Sequence, residues 1–150
     1  KACHAYNNRY TARTKVMYEL GGTAYITLCY GLHHLFNIVT GREGAPQAVL
    51  IRAIEPLENI ELMLARRKMN RVATRLTAGP GVLTKALGIT TAYHGLDTLS
   101  DDSPVWIEAS NQSVADIVAS PRVGIDYAEE WKTTPWRFRI GNNKWTSPAK

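Results

Sequence analysis

The chain has 150 residues, 45% of them apolar, and carries a formal charge of +5 from 18 Lys and Arg against 13 Asp and Glu. That length supports one sizeable core and argues against two independent domains, while the basic balance favours a polyanionic partner over an acidic one. Cys3 and Cys29 are too few for the stapled framework of a small secreted domain, and the longest apolar runs, such as Ala48 to Ala53, meet charge within a few residues, so neither a disulfide scaffold nor a membrane span is expected.

The residues up to Leu20 are polar and basic without a sustained period, which predicts loop with a short helical turn. Thr23 to Tyr30 crowds β-branched and aromatic residues between Gly22 and Gly31 and reads as a strand. A second strand over Leu35 to Thr40 makes a hairpin, with Tyr30, Gly31, Leu32 and His33 near its turn. Gln47 to Ile54 is apolar on both faces apart from Arg52, the pattern of a central strand. Pro56 suits a first helical turn, and Leu57, Ile60, Met63 and Leu64 carry the helical spacing through about Lys68. Arg66, Arg67, Lys68, Arg71 and Arg75 form the densest positive stretch. A second helix is expected from Gly81 to Leu87, stopped by Gly88. Further short strands are expected at Val105 to Glu108 and Trp136 to Ile140, with a brief helix near Tyr127 to Trp131. Hairpin and helices in separate blocks predict an α+β fold, one domain on a mostly antiparallel sheet with a protruding hairpin and flanking helices.

A large aromatic at a tight turn, Tyr30 before Gly31, cannot be buried within its own hairpin and should project, as an entrant to a base stack must. Gly79-Pro80-Gly81 ahead of a helix gathers free N–H groups and the positive end of the dipole, a seat for a phosphate oxygen that Lys85 would reinforce. Cys3, His4, Cys29, His33, His34 and His94 lack the spacings of known zinc sites, and adjacent His33 and His34 would face opposite ways on a strand, so no metal is expected. Glu55, Glu58, Asp97, Asp101 and Asp102 sit in segments that read as solvated turns and helix starts rather than as a glycosidase carboxylate pair.

In order, the runs KACHAYNNR, GGTAYITLCYGLHHLFNIVT, VLIRAIEPLE, AGPGVLTKALGI and PRVGI resemble the alkyladenine (3-methyladenine) DNA glycosylase family, in its bacterial branch, over nearly the whole chain. The resemblance implies a base-excision repair enzyme that flips a damaged purine out of double-stranded DNA and hydrolyses its N-glycosidic bond with an activated water. It further implies a monomer of the bacterial cytoplasm, associated with the nucleoid (or of the nucleus in a eukaryote), without cofactor, metal or membrane. By position it makes Tyr30 the wedge, His4 the pocket histidine, Asn37 the screen against guanine's exocyclic amine, and Arg52 a neighbour of the target nucleotide's backbone. Gly79, Gly81, Thr84 and Lys85 fall at the family's backbone-contacting helix start, and Arg122 in a loop on the same face. Two departures follow. The family's catalytic glutamate would precede Lys1, so a catalytic residue is expected upstream rather than within these 150 residues, and these residues alone should be inactive. Thr27 stands in the pocket where relatives usually carry a stacking tyrosine. The rival expectation is a non-catalytic damaged-DNA binding module.

Overall fold

The computed structural model describes residues 2–146. It is α+β, and among the described residues the strands form two antiparallel sheets. The larger runs β1 (Ala24–Cys29), β2 (His33–Val39), β3 (Ala48–Leu50), with β2 in the middle; the smaller pairs β4 (Ile117–Ser120) with β5 (Arg137–Ile140). Two helices, α1 (Ile60–Arg67) and α2 (Pro80–Leu87), lie between the sheets in sequence. Shorter 3-10 stretches include Lys15–Tyr18 and Asp126–Lys132. None of the described helices is long and apolar enough to cross a membrane.

The register Tyr25↔Asn37 and Ile26↔Phe36 sorts the hairpin into two faces, because strand side chains alternate. Tyr25 and Val39 pack with Ala5, Val16 and Met17 of the amino-terminal segment. On the opposite face Ala24, Ile26, Phe36 and Ile38 pack with Ile89 just beyond α2. A third cluster, Met63, Leu64, Leu76, Ala86 and Trp145, joins α1 to α2. Both faces of the hairpin are therefore covered at its base, and only its tip runs free.

The third strand differs from expectation. It is three residues long and lies at an edge, with Val49 52% exposed, whereas the apolar run suggested a central position. Its apolar residues serve two clusters in turn, Ala48 against the first and Ile51 against the second, so burial on both faces arises without a second strand neighbour. Helix α1 begins at Ile60 and not near Pro56, because Asn59 holds a left-handed φ of 52° that no α-helix interior accepts. Val105 to Glu108 forms no strand: Ile107 N–H donates to the Thr98 carbonyl at 2.8 Å, and the alternating residues find no ladder to join. The paired strand of that region is β4, which starts only at Ile117. Helix α2 ends as expected at Gly88, with φ 75°, its N–H bonded to Lys85 and Thr84 carbonyls.

The basic stretch that begins in the last turn of α1 is partly structural. Arg66 Nη1 donates to the carbonyls of Ala86 and Leu87 at the end of α2, and Arg67 donates to those of Leu76 and Arg75. These cations satisfy carbonyls that a helix end or a tight turn leaves without backbone partners.

Candidate nucleic-acid interface

At the free end of the hairpin, Leu32 N–H donates to the Cys29 carbonyl at 3.1 Å across a turn whose central residues, Tyr30 and Gly31, have φ of 51° and 68°. Positive φ at both centres is the pattern of a type I′ hairpin turn, which matches the twist of the flanking strands. Glycine accepts it freely; a tyrosine there costs roughly 1–2 kcal/mol. The ring it carries is 93% exposed, with Leu32 at 77% and Leu28 at 48% beside it. The sequence expectation that Tyr30 projects is met in the described fold.

Beside the tip stands the entrance of α2. A Cβ built on Gly81 would lie 3.0 Å from His33 Nδ1, so this helix turn touches the hairpin as closely as backbone can. Thr84 differs from the expectation of an outward contact: it is 1% exposed, and its hydroxyl donates to the His34 carbonyl at 2.7 Å, tying α2 to β2. Lys85 is exposed. Helix start and hairpin tip thus occupy one side of the molecule.

Behind the tip, the face of Tyr25, Thr27 and Asn37 meets the amino-terminal segment. His4 Nδ1 and the Tyr25 hydroxyl are 2.8 Å apart, and their rings meet edge to face. Arg13 Nη2 donates to His4 Nε2 at 3.1 Å. Since a guanidinium has donors only, Nε2 accepts, Nδ1 carries the proton, and the imidazole donates to Tyr25. Burial, and then the charge of Arg13, holds His4 below its ordinary pKa, so the ring stays uncharged further into acid than a free histidine. Burial pushes the Tyr25 phenol up, opposed by Arg13. Asn37 Nδ2 donates to the carbonyls of Tyr25 and Leu35, which fixes the amide plane and leaves its oxygen the free end. Thr27 is 6% exposed and lies three residues before Tyr30, ~10 Å along an extended chain.

Two open hollows flank this cluster. One, of about 430 Å³, is lined by Cys3, His4, Tyr6, Asn7 and Arg9. The other, of about 420 Å³, is lined by Arg13, Ile26, Thr27, Leu28, Thr91 and His94, where His94 Nδ1 accepts from the Ile26 N–H at the outer edge of β1. Either volume is of the order that a flat heterocycle needs.

Arg52 and Arg122 stand apart from the His4 cluster. Arg52 is half-buried, and burial with the charge of Arg137 lowers its pKa; its Nε has no hydrogen-bond partner among the described residues. Arg122 lies over the Trp136 ring at 5.4 Å, and Trp136 stacks on Trp131 at 5.3 Å, so this cation is presented on an aromatic base. Among the described residues no three of His, Cys, Asp and Glu gather in a manner that could hold a metal ion.

Sequence reasoning named His4, Thr27 and Asn37 but missed Tyr25 and Arg13. Tyr25 was within reach, since it sits two residues before Thr27 on the same strand face. Arg13 carried no signal, because its partner lies nine residues away across an irregular segment.

The sequence pattern of the family described as methylpurine-DNA glycosylase matches residues 1–144. A protein of Chlamydia abortus named "Putative 3-methyladenine DNA glycosylase" is 48% identical, the match covering 93% of this chain and 73% of that one. Relatives with the same name from Clostridium novyi and Bacillus cereus are each 44% identical, over 98% and 92% of this chain and 75% and 71% of theirs.

Proposed function

Because the chain belongs to the methylpurine-DNA glycosylase family, we propose that it serves DNA repair as a glycosylase of damaged purines, with the hairpin tip as its wedge. The observation that carries this reading is Tyr30: a bulky ring held at a left-handed turn, 93% exposed, just beyond the strand that carries Tyr25, the partner of His4. A ring entering the duplex restores the stacking that a departing base takes with it, and unstacking costs only a few kcal/mol. The displaced purine lies in the hollow beside His4, and Asn37, held by its two carbonyl bonds on the same sheet face as Tyr25, is the candidate screen against an exocyclic amine.

The chemistry is hydrolysis. Water oxygen bonds to the sugar C1′, the bond from C1′ to the purine nitrogen breaks, and its electron pair leaves on the base. The water's proton passes to a carboxylate acting as general base. An alkylated purine such as 3-methyladenine already carries positive charge and leaves readily, which shifts the burden of selectivity to fit within the pocket.

The backbone contacts lie at the α2 entrance, through the Gly81 N–H and the ammonium of Lys85, the Gly79 N–H being taken by the Thr77 carbonyl, and at Arg52 and Arg122. Thr84 contributes by holding that entrance against β2. Lys85→Gln is therefore expected to weaken damaged and undamaged duplex alike and to reduce the salt slope by about 1; fluorescence anisotropy across a salt series measures both, and a loss confined to one lesion would contradict the assignment.

The full-length protein incubated with a duplex containing one hypoxanthine or ethenoadenine should yield alkali-labile abasic sites. No product at high enzyme excess would defeat the glycosylase reading, and lesion-selective binding without product would leave a damaged-DNA binding module.

A further inference from the structure

Outside the contacts already given a role, Arg13 is held against the pocket by its hydrogen bond to His4. We infer that Arg13 is the specificity-determining residue of this pocket: it makes His4 an acceptor at Nε2 and sets a permanent positive charge at the wall, tilting excision toward uncharged purine lesions. The inference rests on the glycosylase reading above and extends it to the class of base preferred.

Three observations lead there. First, Arg13 Nη2 lies 3.1 Å from His4 Nε2, and His4 Nδ1 lies 2.8 Å from the Tyr25 hydroxyl, so the donor-only guanidinium dictates the proton position in the whole relay. Second, Tyr25 is 2% exposed, so its ring is held in place beside His4. Third, Arg13 and Thr27 line the second hollow while His4, the guanidinium's partner, lines the first, so the cation stands at the wall of one hollow and a single hydrogen bond away from the other.

A fixed cation at this place discriminates by charge. A purine methylated on a ring nitrogen enters as a cation and is repelled; hypoxanthine or ethenoadenine enters neutral and is not. Protonation of His4 would add a second positive charge, and the groups that face its ring are Cys3, Tyr6, Arg9, Arg13 and Tyr25. Burial and Arg13 both oppose that protonation. Removing Arg13 should therefore let His4 protonate at higher pH and, while His4 is uncharged, reduce the positive charge at the wall to that of Arg9, which favours cationic bases.

The test compares Arg13→Gln, which keeps a donor without charge, with Arg13→Lys, which keeps charge without the planar fork, in the full-length protein. Release of 3-methyladenine from methylated DNA is measured beside release of hypoxanthine from a defined duplex. Arg13→Gln should raise the ratio of cationic to neutral base released on the order of tenfold near neutral pH, and Arg13→Lys should restore most of the original ratio. Equal loss on both bases in both variants would reduce Arg13 to a structural contact and overturn the proposal. The ring nitrogens of His4, followed by NMR, give a readout independent of turnover: Nε2 unprotonated in the parent, and a titration moved to higher pH in Arg13→Gln. An unchanged titration, or a proton on Nε2, would overturn it as well. If the parent releases neither base, the glycosylase reading fails, and the His4 titration alone decides whether Arg13 governs that ring.

Discussion

Tyr30→Ala is expected to lower affinity for a duplex holding an extruded purine by about 1–3 kcal/mol, the worth of one stacked ring, while leaving thermal stability where it was. The second half follows from exposure: a side chain 93% in solvent has no packing to lose, and alanine keeps the same turn backbone. Binding measured by anisotropy and melting followed by circular dichroism separate the two. Unchanged affinity would show that the tip does not enter the stack; a large drop in melting temperature would show that the ring packs against its own fold.

Leu83→Ala should have the opposite profile. Leu83 is completely buried on α2, the helix that Thr84 ties to β2, and truncating such a leucine costs about 2–5 kcal/mol through the transfer energy forgone and the cavity left behind. Denaturant melts read this directly. A change below about 1 kcal/mol would mean that the α2 seat relaxes to fill the space. At temperatures where the variant stays folded, its DNA affinity should match the parent's, since the residue reaches no surface.

Much of the arrangement was legible in the sequence where local chemistry decides structure. The hairpin could be read from a β-branched run between glycines, the end of α2 from Gly88, and the projection of Tyr30 from its place beside Gly31. Features decided by distant partners were not legible. The apolar run containing Arg52 announces burial, but burial on both faces can come from a central strand or from two clusters that share an edge, and the fold uses the second. Val105 to Glu108 alternates as a strand should, yet strand formation needs a neighbour that no local pattern supplies. At the candidate site the family likeness pointed to His4 and Asn37, whereas the relay through Tyr25 to Arg13 exists only once the amino-terminal segment folds over the sheet. The run of basic residues that starts at the end of α1 shows the same limit from the other side: composition counts charges, but Arg66 and Arg67 are turned toward carbonyls.

The close approach of Gly81 to His33 has a mechanical consequence. Hairpin and helix entrance behave as the two jaws of a caliper with a seized joint: any push on the tip is returned through the first turn of α2 before it can bend the strands. If the tip acts as the proposed wedge, the load it meets passes into the first turn of α2 as well as along the strands.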